Sequence, residues 1–283
     1  MKLVRYGRLG KEKPGLVDSA GKLRDLSEVV ADIDADTIGP RALARLAKIK
    51  PESLPAVRGA PRIGPCVAGV RNFVAVGLNY VDHAAETGTK APAEPILFNK
   101  APSCIVGPND DVIVPRGSTK LDWEVELAIV IGSRASYVSE ADALRHVAGY
   151  CVCNDVSERA FQIERGGQWM KGKGCPTFGP LGPWLVTPDE IDDVQGLRMF
   201  LDVNGERMQD GSTANMIFGV RTLVSYISQF MILEPGDVIT TGTPAGVGMG
   251  KKPPVFLKAG DTISLGIDRL GRQAQRVVAQ DGE

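Results

Sequence analysis

Histidine is scarce in this chain, with two among 283 residues. A site built from several imidazole ligands is therefore excluded by arithmetic. Neither sign of charge is in excess: 33 Lys and Arg stand against 34 Asp and Glu, a net charge of -1. A nucleic-acid binder is expected to carry a basic excess or basic runs, and neither is found. No apolar run approaches the roughly 20 residues that span a bilayer, which excludes a transmembrane helix. The start, Met1-Lys2-Leu3-Val4-Arg5, puts charge where a signal peptide needs its apolar segment. The expectation is a cytoplasmic protein. The five cysteines are odd in number and irregularly spaced, as free thiols in a reducing compartment would be.

Glycine (33) and proline (19) are plentiful, and 43% of the residues are hydrophobic and 24% charged. This is the make-up of a globular chain able to bury a sizeable core. The first fifty residues read as a small α/β module, with short strands at 3–8 and 15–17. Pro40 sits at a first helical position, followed by Leu43, Leu46, Ala47 and Ile49 at helical spacing. Pro51, Pro55, Pro61 and Pro65 then punctuate an aperiodic stretch. The predicted division is a small N-terminal domain with its linker, 1–70, and a larger domain, 71–283. In the latter, strands are expected at 73–76, within 96–114, at 122–131 (the longest), at 150–155 and at 237–240. Ser139 and Asp142 predict a capped helix, and residues 221–231 an amphipathic one with Leu223, Val224, Ile227 and Phe230 on one side. Residues 80–88 read as a short helical segment and 165–180 as too glycine-rich for regular structure. Hairpin turns are expected at 203–206 and 268–271. Strands outnumber helices without alternating with them, so the fold class is α+β, mainly β, rather than a doubly wound or barrel α/β fold.

Several constellations could carry chemistry. In an extended run, alternate side chains share a face. Trp123, Val125, Leu127, Ile129 and Ile131 make one apolar face; Asp122, Glu124 and Glu126 share the other with Ala128 and Val130. Either the acidic face is solvated, or it enters the interior, where adjacent carboxylates stay ionised only beside a cation such as Mg²⁺ or Mn²⁺. Asp155 closes a strand as either a helix N-cap or a further acidic ligand. Arg159 and Gln162 follow at helical spacing, as an ordinary ion pair or an anion-holding group. His83 and Glu86 lie three apart on a helical segment. A carboxylate beside an imidazole raises its basicity, as in a water-activating base, although the same spacing suits a surface contact. Lys171 and Lys173 in the glycine-rich segment are either solvated or available to an enolate or carboxylate. The 240–248 loop offers Thr240, Thr241, Thr243 and backbone N–H groups to an anion, and a tight turn would equally explain its glycines. Cys151 and Cys153 share a strand face and read as core thiols.

Taken together and in order, these motifs resemble the fumarylacetoacetate hydrolase family across residues 70–265. The matching pieces are Gly77-Leu78-Asn79-Tyr80 with His83 and Glu86, Asp122-Trp123-Glu124-Val125-Glu126, Asn154-Asp155 through Arg159 and Gln162, Gly172-Lys173, and Thr241-Gly242-Thr243-Pro244. The N-terminal module is similar to that of a bacterial branch whose members act on 2,4-diketo-3-deoxy sugar acids or are labelled ureidoglycolate lyases. The resemblance implies a mixed β-roll catalytic domain, a homodimer, and Mg²⁺ or Mn²⁺ held by Glu124, Glu126 and Asp155. It implies that His83 and Glu86 activate water, that Lys173 stabilises an enolate, and that Arg159 and Gln162 contact the substrate. Thr243 and the backbone of Leu78 would bind its carboxylate. The implied activity is hydrolysis of a carbon–carbon bond in an acylpyruvate or 2,4-diketo-3-deoxy sugar acid, giving pyruvate and a carboxylic acid. The alternatives are elimination of urea from ureidoglycolate, or decarboxylation or isomerisation of a 2-oxo acid. The partner is thus a small-molecule 2-oxo or diketo acid, not nucleic acid or membrane. The chain departs from many relatives at Pro176, where they carry Asp before the Thr-Phe of the lysine loop.

Overall fold

The computed structural model describes every residue except Thr87, Thr89 and 281–283, so Thr87 in the segment expected to run to Gly88 lies outside the described residues. Two mixed sheets dominate. The larger runs in the order Leu23–Asp25, Lys13–Val17, Lys2–Tyr6, Gly179–Val186, Val147–Asn154, Val125–Ile131, Val238–Thr240, Phe73–Gly77 and Ile96–Lys100. Its neighbours are antiparallel except Val238–Thr240 against Phe73–Gly77, and Ile105–Val106, which joins Gly179–Val186 in parallel. The smaller sheet runs Glu206–Ser212, Arg198–Val203, Thr262–Ile267, Gly271–Ala279 and Val112–Val114, the last pair parallel. The described α-helices are short: Pro40–Leu46, Val81–Glu86, Met170–Lys173 and Val220–Ile227. The class is α+β, mainly β. Among the described residues no helix is long and apolar enough to cross a membrane.

The reason for this architecture lies in the apolar runs. Every residue of Val125–Ile131 and Val147–Asn154 is buried, so both faces of these central strands are covered. Their β-branched residues suit a pleated surface packed on both sides. One contiguous core joins Leu3 and Leu16 to Phe73, Leu127 and Val152, and reaches Leu201 and Ile263 of the smaller sheet. The N-terminal strands extend the larger sheet, with Leu3 paired to Leu185. Cys151 and Cys153 are buried in it. Both hairpin turns form, the first with Asn204 and Gly205 at φ 52° and 81°, the conformation that Asn-Gly adopts readily.

Four local expectations are corrected. The run expected over 122–131 is two pieces: Leu121–Asp122 pairs with Ser157–Glu158, and Val125–Ile131 enters the large sheet. The break at Trp123 and Glu124 lets the chain change partners, and the longest strand is Gly271–Ala279. At Ser139 the capping contacts form, with Ser139 Oγ 2.9 Å from Asp142 Oδ2. Only a 3₁₀ turn, Ala143–His146, follows, because Val147 already pairs with Ile131. Sheet pairing outweighs a local helix signal this short. The helix Val220–Ile227 ends before Phe230, which is 63% exposed instead of joining the buried stripe. Finally, the glycine-rich segment contains the helix Met170–Lys173.

Candidate active site

The break after Asp122 builds the centre of the site. Glu126 lies on Val125–Ile131 opposite Cys153, Val125 lies opposite Asn154, and the Asp155 N–H donates to the Glu124 carbonyl at 2.9 Å. Glu124, Glu126 and Asp155 are thereby brought together, all buried, each with a carboxylate oxygen within 4.8 Å of the others. Lys173 Nζ bridges two of them, at 2.6 Å from Glu124 Oε2 and 2.7 Å from Asp155 Oδ2. It arrives at the end of its short helix because Gly172 packs against backbone: a Cβ there would lie 2.3 Å from the Glu158 carbonyl. Lys171, two residues earlier, is exposed and donates to the Arg165 carbonyl. Pro176 lies in the exposed turn that follows.

Arg159 is a second buried cation. It donates to Asp122 Oδ2 at 2.8 Å, Glu124 Oε1 at 2.6 Å and Gln162 Oε1 at 3.0 Å. Asp155 makes no helix pair with it, since residues 157–158 are strand and a π-helical turn, Ala160–Glu164, comes after. Such turns often mark functional sites. Charge is unevenly shared across the cluster. Burial pushes the Glu124 carboxyl up, but Lys173 and Arg159 outweigh it and hold the group below the ordinary range. Glu126 accepts the Gly242 N–H at 2.8 Å and, among the described residues, forms no ion pair. Burial, then the charges of Asp155 and Glu124, push its carboxyl well above the ordinary value.

His83 is 6% exposed on the helix Val81–Glu86, with Nδ1 3.3 Å from Glu86 Oε2. The Glu86 carboxylate also accepts the Gly246 N–H. Leu78 holds a left-handed backbone at φ 53°, a strained choice for a branched side chain and one that functional sites favour. Thr243 is buried, its hydroxyl donating to the Val125 carbonyl and accepting from Gln209 Nε2. One cavity is lined by Leu78, His83, Glu124, Glu126, Arg159, Gln162, Lys173 and Thr243. Glu86 joins through His83, and Asp155 through the carboxylate cluster. The other histidine, His146, contacts Ser133 outside this cavity.

Two contributors, Lys100 and Gln209, escaped the sequence reading, and Asp122, read there as part of the acidic face, takes a different role. Lys100, 1% exposed, lies 2.6 Å from Asp155 Oδ1 and donates to the Lys173 carbonyl at 2.5 Å. Burial opposes its charge, yet Asp155 more than compensates and holds the ammonium firmly protonated. Asp122 does not join the acidic triad; it anchors Arg159 and accepts the N–H groups of Gly248 and Met249. Gln209 ties Thr243 to the smaller sheet. A lysine closing a half-buried strand was the one available signal for Lys100, and its partner stands 55 positions on.

Comparison with known proteins gives the family. Residues 72–278 match the family described as fumarylacetoacetate (FAA) hydrolase C-terminal. A Burkholderia orbicola protein carrying a provisional hydrolase name is 60% identical over 277 residues, 98% of each chain. Maleylpyruvate hydrolase from Sphingobium sp. SYK-6, solved with manganese(II) ion and pyruvate, superposes with a TM-score of 0.81 at 28% identity, covering 99% of this chain and 100% of the other. A 5-carboxymethyl-2-hydroxymuconate delta-isomerase from Mycobacterium smegmatis gives 0.76 at 31% identity, with 99% of each chain covered. With the match running through both sheets and every wall of the cavity, this chain belongs to the fumarylacetoacetate hydrolase family.

Proposed function

We propose that the protein is a divalent-metal-dependent hydrolase that cleaves the C3–C4 bond of a 2,4-diketo acid, adding water to release pyruvate and a carboxylic acid. One observation carries this reading: a His–Glu pair and a buried triad of carboxylates serve one cavity. The donor set fits a hard divalent ion, because its atoms are all carboxylate oxygens and the charge of Lys173 does not offset burial and the two neighbouring carboxylates at Glu126. Glu124, Glu126 and Asp155 would hold it. When bound, Mg²⁺ or Mn²⁺ supplies Lewis-acid stabilisation of negative charge on substrate oxygen.

The chain's own groups do the rest. Thr243 and the backbone at Leu78 seat the substrate carboxylate, while Arg159 and Gln162 fix its orientation. His83 takes a proton from water as the hydroxide adds to the C4 carbonyl, and Glu86 steadies the imidazole. Collapse of that adduct breaks C3–C4 and leaves the electron pair on the three-carbon fragment, where Lys173 offsets the growing charge. Protonation at C3 gives pyruvate. Pyruvate released from acylpyruvates by the Mg²⁺- or Mn²⁺-loaded protein is the expected result, with loss of activity on exhaustive chelation. Isomerisation or decarboxylation of a 2-oxo acid, or urea release from ureidoglycolate, with no pyruvate formed from any diketo acid, would overturn the reading.

Metal binding should also displace a proton. In the metal-free fold Glu126 keeps its proton above the pH at which the unfolded chain loses it, because its folded value is raised. Across that window the folded state binds more protons, so this group's contribution to stability falls as pH rises. A divalent ion requires the carboxylate, so apparent affinity should rise with pH. Calorimetry of Mn²⁺ binding in buffers of different ionisation enthalpy is expected to show proton release that Glu126→Gln removes. Equal release from both proteins would exclude Glu126 as the source.

A further inference from the structure

The cavity is divided by depth. Its polar residues Glu126, Arg159, Gln162, Lys173 and Thr243 are buried, whereas Leu78, Phe98, Ile163, Trp169 and Met249 are only partly covered and form its outer wall. This wall is built, not incidental. Trp169 lies across Gly77, where a Cβ would meet its ring at 2.4 Å, and packs edge-on against Phe98 at 5.2 Å between centroids. Met249 is fixed by its backbone N–H, which donates to Asp122 at 3.0 Å. Ile163 projects from the π-helical turn and stays 50% exposed in spite of its apolar side chain.

Charge at the wall is missing. Among the described lining residues, the lysine and arginine are Lys173 and Arg159, each already paired with two carboxylates at the floor. The indole N–H of Trp169 is the wall's one strong side-chain donor. A second carboxylate on the substrate would be stripped of water there without a cation, and a row of hydroxyls without partners; both are costly. A hydrocarbon gains from the same transfer. We infer that the outer wall is a subsite for an uncharged, apolar acyl group. The substrate class is then an acylpyruvate with an alkyl or aryl acyl chain, not a dicarboxylic or polyhydroxylated diketo acid. This rests on the proposed hydrolysis for the identity of the reaction, but the subsite can be read by binding alone.

The test is titration of the Mn²⁺-loaded protein with pyruvate, 2-oxooctanoate and 2-oxosuberate, the last matching the second in length but ending in a carboxylate. Each buried methylene is worth about fourfold in affinity. 2-Oxooctanoate is therefore expected to bind at least tenfold more tightly than either of the others, and Ile163→Lys to shrink or reverse its advantage over 2-oxosuberate. Tighter or equal binding of 2-oxosuberate, or a ratio unmoved by Ile163→Lys, would overturn the inference. Turnover separates it from the reaction itself. The expected binding order without pyruvate release from any acylpyruvate leaves the subsite standing and removes the hydrolase. Hydrolysis that favours dicarboxylic acylpyruvates does the reverse.

Discussion

Lys173→Met is expected to lower turnover on an acylpyruvate by at least a hundredfold, with Mn²⁺ affinity kept or raised. The cause is the position of its ammonium, 2.6 and 2.7 Å from two of the three clustered carboxylates and on the wall of the cavity. A fixed cation where charge develops is worth about 10² to 10³ in rate, the scale set by removal of an oxyanion-stabilising donor. The same ammonium neutralises Glu124 and Asp155 in the metal-free protein. Removing it leaves Glu124 with Arg159 and Asp155 with Lys100 as their remaining cations, which costs stability, and a divalent ion then meets less competition. Rate and metal affinity therefore move independently or in opposite directions. Binding of oxalate, which mimics the enolate of pyruvate, should weaken more than that of a neutral ligand. Lys171→Met is the control, since Lys171 is exposed and donates to the Arg165 backbone carbonyl. Small, equal effects from the two substitutions, in kcat and in calorimetric titration, would return this loop to a structural role.

The contrast between those two lysines marks where the sequence is legible. Composition and period identified a mainly β chain, because buried strands need long apolar runs and tight hairpins favour turn residues such as Asn-Gly, and both are local signals. The acidic residues at 122, 124 and 126 were readable as a group, but alternation in a single strand made them equivalent. The break at Trp123 and Glu124 separates them: Asp122 turns to Arg159 and the Gly248 N–H, while Glu124 and Glu126 meet Asp155. That break depends on pairing with Ser157–Glu158, a contact more than thirty residues distant, which no local period reports. Lys100 is the clearest case. Its role comes entirely from Asp155 and the Lys173 carbonyl, both distant in sequence. The helix expected at Ser139 failed for the opposite reason, because a real local signal was overruled by the strand beginning at Val147.

His83→Ala should lower kcat by about 10² to 10⁴, the range for losing a positioned general base. His83 is one of only two histidines, is buried at the cavity, and holds its Nδ1 3.3 Å from Glu86. Glu86 is itself fixed by the Gly246 N–H, so the pair is oriented from the loop that also carries Thr243. Glu86→Gln keeps that backbone contact while removing the charge, and a smaller loss is expected, because the imidazole stays in place but loses its charged partner. Neither side chain belongs to the carboxylate cluster, so Mn²⁺ and pyruvate should bind both variants about as they bind the parent. His146→Ala is the matched control: its ring contacts Ser133 away from the cavity, and turnover should change less than twofold. Since His83 is buried, a rate loss alone could come from repacking, and added imidazole distinguishes the two. Partial rescue of His83→Ala by imidazole, with the melting temperature unchanged, is the signature of a missing base. Normal hydrolysis by both His83→Ala and Glu86→Ala would place water activation elsewhere in the cavity.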